Sequence, residues 1–100
     1  MEIEERTEGD VTILDLKGKM FGEEDADRLR EEIEGLVEEG NLNIALNLAD
    51  MTYIDSTCIG EIVRSQQAVG QNGGKLKLTN PSKNLRTLLT RMRLLSLFEE

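Results

Sequence analysis

Asp55-Ser56-Thr57-Cys58-Ile59-Gly60 gathers a carboxylate, two hydroxyls and a thiol into six positions of a 100-residue chain. The segment follows Tyr53-Ile54 and precedes apolar residues at helical spacing, so it stands where a helix begins. Two chemistries fit that place. The first is capping, because Asp, Ser and Thr are the residues that satisfy the orphan amides of a helix start. No Glu or Gln stands three residues after Ser56 or Thr57, so no capping box forms. The second is modification. A phosphate on Ser56 would meet N–H donors and the positive end of the helix dipole. It would also set about −1.5 to −2 charges beside Asp55. Cys58 reads as a small packed residue. A helix start would activate its thiol, and Asp55 would oppose that.

Catalysis finds little else to work with. The chain has no histidine, which excludes a Ser-His-Asp triad, a His base and a His-ligated metal. Its single cysteine excludes an internal disulfide and a Cys-rich metal site. Ser56 has no ordinary base, since Lys75, Lys77 and Lys83 belong to other elements. Gly70-Gln71-Asn72-Gly73-Gly74 lies after a helix and lacks Gly-Lys-Ser/Thr, so it reads as a helix stop and turn rather than a phosphate loop. No cofactor is expected.

Charge and composition exclude further classes. The net charge is −8, with three aromatics and no Trp. An acidic chain with few rings lacks the footprint for nucleic acid. The N-terminus has no signal-peptide pattern, and no apolar run reaches the ~18 residues of a membrane span. A cytoplasmic setting without membrane insertion is the expectation. Residues 1–40 hold 15 acids and 5 bases, while residues 41–98 hold 3 acids and 7 bases. That asymmetry fits a solvated acidic helix face or a dipolar surface that orients a partner.

The elements that must position the segment follow from periodicity. Ile3–Thr7 and Val11–Leu16 read as strands joined by a turn at Glu8-Gly9-Asp10. Ala26, Leu29, Ile33, Leu36 and Val37 mark a helix with an acid-rich first turn and a stop at Gly40. Asn43–Leu48 alternates as a strand, and a turn at Ala49–Thr52 follows. A second helix starts near Ser56, with Ile59, Ile62, Val63 and Gln66 inward. Lys75–Thr79 is a strand, and Asn80-Pro81 supplies an N-cap and first helical position for a third helix. Leu85, Leu88, Leu89 and Met92 form its stripe, and Leu94 to Phe98 suits a last strand.

One domain over residues 1–100 follows: an α/β fold with a mixed sheet of four or five strands and helices packed mainly on one face. Val11, Ile13, Leu14, Leu16, Ile44, Leu46, Leu48, Leu76 and Leu78 are expected inside from the sheet. Leu29, Ile33, Leu36, Ile59, Ile62, Val63, Leu85, Leu88 and Leu89 are expected inside from the helices.

Tyr53-Ile54-Asp55-Ser56-Thr57-Cys58-Ile59-Gly60 resembles the signature of the STAS domain, best known in anti-sigma factor antagonists. Ile44–Leu48, Asp50, Gly18, Asn80-Pro81 and Leu97-Phe98 extend the likeness through most of the chain. Cys58 stands where the family pattern has its first glycine, and Gly60 keeps the second. The resemblance implies a STAS-like fold and a regulatory protein, not an enzyme. It implies phosphorylation at Ser56 by an anti-sigma factor that is also a serine kinase. The unphosphorylated form would bind that kinase through Asp55 to Gly60, and a phosphatase acting on phospho-Ser56 would restore binding. A non-switching STAS scaffold or transporter-associated regulatory subunit is the alternative the same resemblance leaves open.

Overall fold

The computed structural model describes residues 1–98, with the Leu97 side chain outside that description. Strands β1 (Glu2–Glu8) and β2 (Val11–Met20) form an antiparallel hairpin. Helix α1 (Gly22–Glu38) leads to β3 (Asn43–Ile54), and α2 (Ser56–Gln71) leads to β4 (Lys75–Thr79). Helix α3 (Lys83–Arg91) and a 3-10 turn at Leu95–Leu97 close the described chain. The sheet runs β1-β2-β3-β4, with β2, β3 and β4 parallel. Crossover helices are what permit those parallel neighbours.

Strand parity puts one face of this sheet against the helices. Leu14, Leu16, Ile44, Leu46, Leu48 and Leu76 join Leu29, Ile33, Leu36, Ile59, Ile62, Leu85 and Leu89 in one buried core. The other face carries Val11, Ile13 and Ala45 among polar residues, several of which are held in a chain of side-chain bonds. Arg6 Nε donates to Asp15 Oδ2 at 2.7 Å, Asn47 Nδ2 donates to Asp15 Oδ1 at 2.8 Å, and Asn80 Nδ2 donates to Asn47 Oδ1 at 2.9 Å. Between α1 and α2 a buried carboxylate, Glu61, accepts from Ser65 Oγ at 3.1 Å. Arg30 from α1 and Arg64 from α2 reach it at 3.6 and 3.5 Å.

Several sequence expectations need correction. The sheet has four strands among the described residues, within the four or five expected, but the last strand read at Leu94–Phe98 does not form; that segment holds the 3-10 turn, with Phe98 buried. Ala49–Thr52 is no turn, because β3 continues to Ile54 and β2 continues beside it to Met20. Two register shifts, between Asp15 and Lys17 and between Gly18 and Lys19, interrupt the alternation there and hide the strand. Gly18, at φ +90, sits in this irregular stretch, and its carbonyl accepts from Thr52 Oγ1 at 3.2 Å.

The cap of α3 is Ser82, not Asn80; Ser82 Oγ accepts from Leu85 N–H at 3.1 Å. Leu88 is 40% exposed rather than buried, and Val11, Val63 and Leu78 are half-buried. On α2 the inner stripe includes Glu61, Ser65 and Val69 in addition to Ile59 and Ile62.

Candidate functional site

The extended end of β3 aims at the start of α2, and Asp55 is the hinge residue between them. Its backbone is still extended at φ −95 and ψ 175, which places its side chain over the helix start. Oδ1 accepts from Cys58 N–H at 2.9 Å. Oδ2 accepts from Gly22 N–H, also at 2.9 Å. Gly22 is the first residue of α1, so one carboxylate satisfies the start of two helices. Gly22 takes φ +79, a left-handed geometry that turns the chain from β2 into α1 and presents this amide. Asp55 N–H donates to the Met20 carbonyl at 3.2 Å, a third tie to the same corner.

These amides hold the Asp55 carboxyl below its ordinary value, the Cys58 bond first and the Gly22 bond second. The group is an anion fixed in place. Ser56 and Thr57, the next two residues, are exposed in the first turn of α2. Their hydroxyls are accessible on a turn whose backbone is pinned from two sides.

Cys58 faces the other way. It is wholly buried, and Sγ–H donates to the Gly22 carbonyl at 3.6 Å. Burial pushes its thiol up to about 12, with Asp55 adding to the rise. An inert, packed thiol is the outcome, so this side chain is spent on the core. Ile59 is buried beside it, and Gly60 is half-buried with room around it. The six sequence-predicted residues therefore divide. Ser56 and Thr57 face solvent, Asp55 and Gly60 are half-buried, and Cys58 and Ile59 anchor the turn from within.

Sequence reasoning missed the parts that come from far along the chain. Gly22 lies 33 residues before Asp55, and its amide fixes the carboxylate. Phe21 and Tyr53, the residues flanking this corner in the chain, are 57% and 53% exposed. The usable signal was Phe21-Gly22 itself, an aromatic and a glycine placed between a strand and an acidic helix start. Among the described residues no cluster of His, Cys, Asp or Glu could hold a metal ion, and no helix is long and apolar enough to cross a membrane.

The model of the STAS domain family matches residues 2–99. The anti-sigma-B factor antagonist of Bacillus subtilis (strain 168) is 38% identical over 74 residues, which cover 71% of this chain and 67% of that protein. Among solved structures, the protein TM1081 has a TM-score of 0.84 at 25% identity, covering 95% of this chain and 76% of that one. The anti-sigma factor antagonist SpoIIAA matches in its unphosphorylated form with a TM-score of 0.74 at 18% identity, over 89% of this chain and 82% of that one. Its phosphorylated form matches with a TM-score of 0.75 at 18% identity, over 93% and 85%. At that identity the likeness to SpoIIAA is one of fold.

Proposed function

Because this chain belongs to the STAS domain family, we propose that it is an anti-sigma factor antagonist switched by phosphorylation at Ser56. The unphosphorylated domain binds an anti-sigma factor that is also a serine kinase. Binding releases a sigma factor. Phosphorylation of Ser56 ends the binding, and a phosphatase acting on phospho-Ser56 restores it. The domain works in the cytoplasm as substrate and binding partner. It performs no catalysis, holds no cofactor and touches neither nucleic acid nor membrane. Asp55, Ser56, Thr57, Cys58, Ile59 and Gly60 make up the docking turn, with Ser56 and Thr57 outermost.

One observation carries this reading: the exposed Ser56 stands at the first position of α2, next to a carboxylate already fixed by two amides. Asp55 cannot swing away from a new phosphate without giving up both bonds. The acids Glu23, Glu24 and Asp25 of the first turn of α1 follow directly from Gly22. A phosphate would thus join an existing negative group beside two exposed aromatics, Phe21 and Tyr53. Like-charge repulsion and desolvation are how such a group breaks an interface. The helix N-terminus meanwhile tolerates the anion, so the fold survives the change. SpoIIAA, of the same fold, has structures in both phosphorylated and unphosphorylated forms.

Incubation with ATP and the cognate kinase, followed by mass spectrometry, tests the assignment. A single phosphate on Ser56 is expected. Phosphate on Thr57 alone, or none from a kinase that demonstrably binds, overturns it.

A further inference from the structure

Helix α2 has one basic side chain, Arg64, and one acidic side chain, Glu61. Arg64 stands eight residues after Ser56, with Gly60 midway between them. Residues four apart on a helix are neighbours, so the three positions stack one turn above the next. Long side chains on a helix lean toward its N-terminus. Arg64 does so: its Nη1 lies 3.6 Å from the point where a Cβ on Gly60 would stand. The guanidinium thus crosses the place the glycine leaves empty and ends about one turn from the exposed Ser56.

Little holds Arg64 where it is. Its Nη2 is 3.5 Å from Glu61 Oε1, beyond the roughly 2.7–3.2 Å of a good hydrogen bond, and the side chain is 65% exposed. An exposed arm contributes little through such a pair. Glu61 does not depend on it either. That buried carboxylate accepts from Ser65 Oγ at 3.1 Å and keeps Arg30 of α1 at 3.6 Å. Arg64 can therefore leave without stranding a buried charge.

A phosphate on Ser56 attracts more strongly than Glu61 does. It brings about −1.5 to −2 charges and three acceptor oxygens. The guanidinium fork meets two such oxygens at once. Asp55 and the α1 acids Glu23, Glu24 and Asp25, described above around Ser56, are anions and supply no counter-charge.

We propose that Arg64 receives the phosphate of phospho-Ser56, turning from Glu61 across Gly60 to pair with it. The proposal rests on the phosphorylation given above and adds its internal counter-ion. Pairing holds the phosphate at one place on the turn and neutralises part of its charge within the domain. Gly60 is the passage, since a large side chain there would stand between the two groups.

The test uses protein with phosphoserine placed at position 56 during synthesis, so that no kinase is needed. Phosphorus NMR follows the last protonation of the phosphate in the otherwise wild-type chain, in Arg64→Lys and in Arg64→Gln. Arg64 is exposed, so both variants are expected to fold, and thermal melts verify it. With Arg64 in place the phosphate is expected to bind its proton about two- to fivefold more weakly than in Arg64→Gln, the scale of an exposed ion pair. Arg64→Lys is expected to fall between them, because an ammonium keeps the charge and loses the fork. The nitrogen-15 signal of the Arg64 Nε–H, assigned by its absence from Arg64→Gln, is expected to shift on phosphorylation. Equal proton affinities in the three proteins, or an Arg64 signal that does not move, overturn the proposal and leave the switch standing. A kinase that binds and leaves Ser56 unmodified defeats the switch, and with it the role given to Arg64, even where the NMR contact forms.

Discussion

Helices α2 and α3 begin in similar settings and are anchored differently. Each follows a strand, and each has a side chain accepting the amide of its third residue: Asp55 from Cys58, and Ser82 from Leu85. Asp55 does more. Its second oxygen takes the Gly22 amide, so the start of α2 is bound to the start of α1. The Ser82 cap bond stays within its own helix, whose other hold on the domain is Leu85 and Leu89 in the core. A charged cap shared by two elements makes a rigid platform under Ser56 and Thr57. A neutral cap serving one helix lets α3 adjust without disturbing that platform. Precision sits under Ser56 and Thr57, and tolerance sits beside them.

The largest effect expected from breaking this contrast is at the platform's exposed residue. Ser56→Asp places a permanent carboxylate at the proposed interface. Opposing a buried polar contact of that kind costs about 2–5 kcal/mol. Affinity for the kinase should fall by roughly 30-fold to several thousand-fold. Ser56→Ala should bind near wild-type strength and resist inactivation by ATP. Titration calorimetry of the three forms decides it, and equal affinities for wild type and Ser56→Asp would sink the switch.

Next comes the tie between the two helices. Gly22 has φ +79, and an L side chain there costs about 1–2 kcal/mol. Gly22→Ala should therefore lower the melting temperature by roughly 5–15 °C. Amide exchange should quicken at the starts of both α1 and α2, because the strained residue is the one that bonds Asp55. Faster exchange confined to α1 would mean that the Gly22 bond contributes nothing to α2. The corresponding change in α3 is milder. Ser82→Ala removes a neutral cap worth about 1 kcal/mol. Its melting loss should be roughly 4–8 °C, with faster exchange restricted to α3.

The contrast between the two caps also explains what the sequence made legible. Elements with unbroken periodicity were readable: α1 and α2 through their apolar spacing, and β4, whose bounds Lys75–Thr79 match the alternation of Leu76 and Leu78. The motif at Asp55 and Ser56 was readable because capping is local chemistry. The second half of β3 was not. Its register shifts against β2 break the two-residue period, so a continuous strand looks like a turn. Asn80-Pro81 misled for a related reason. Both are strong helix-start residues, yet Asn80 has φ +54 and bonds to Asn47 of β3, which leaves the cap to Ser82. The shared use of Asp55 was invisible because its second donor comes from another element, and no local spacing encodes a contact across 33 residues.

The smallest expected effect separates the caps by charge. Asp55 titrates and Ser82 does not. The Cys58 and Gly22 amides lower the folded Asp55 carboxyl from its ordinary 3.8. A lowered folded value means that the ionised group stabilises the fold above the unfolded value, and that this contribution fades as pH falls through the folded one. Asp15 shifts in the same direction through its bonds to Arg6 and Asn47, so the acid limb of the whole protein mixes the two residues. Asp55→Asn separates Asp55 from Asp15: the amide loses the charge and keeps one oxygen acceptor, while its NH2 can no longer accept the second backbone amide. Wild type should melt above Asp55→Asn by a nearly constant gap from pH 7 down to about 5. The gap should close progressively as pH drops below 3.8. The gap between wild type and Ser82→Ala should stay level over the same range, because no proton is involved at that cap. If the Asp55→Asn gap is equally level, the carboxylate's charge contributes nothing, and α2 is held more firmly than α3 by the geometry of the shared bond alone.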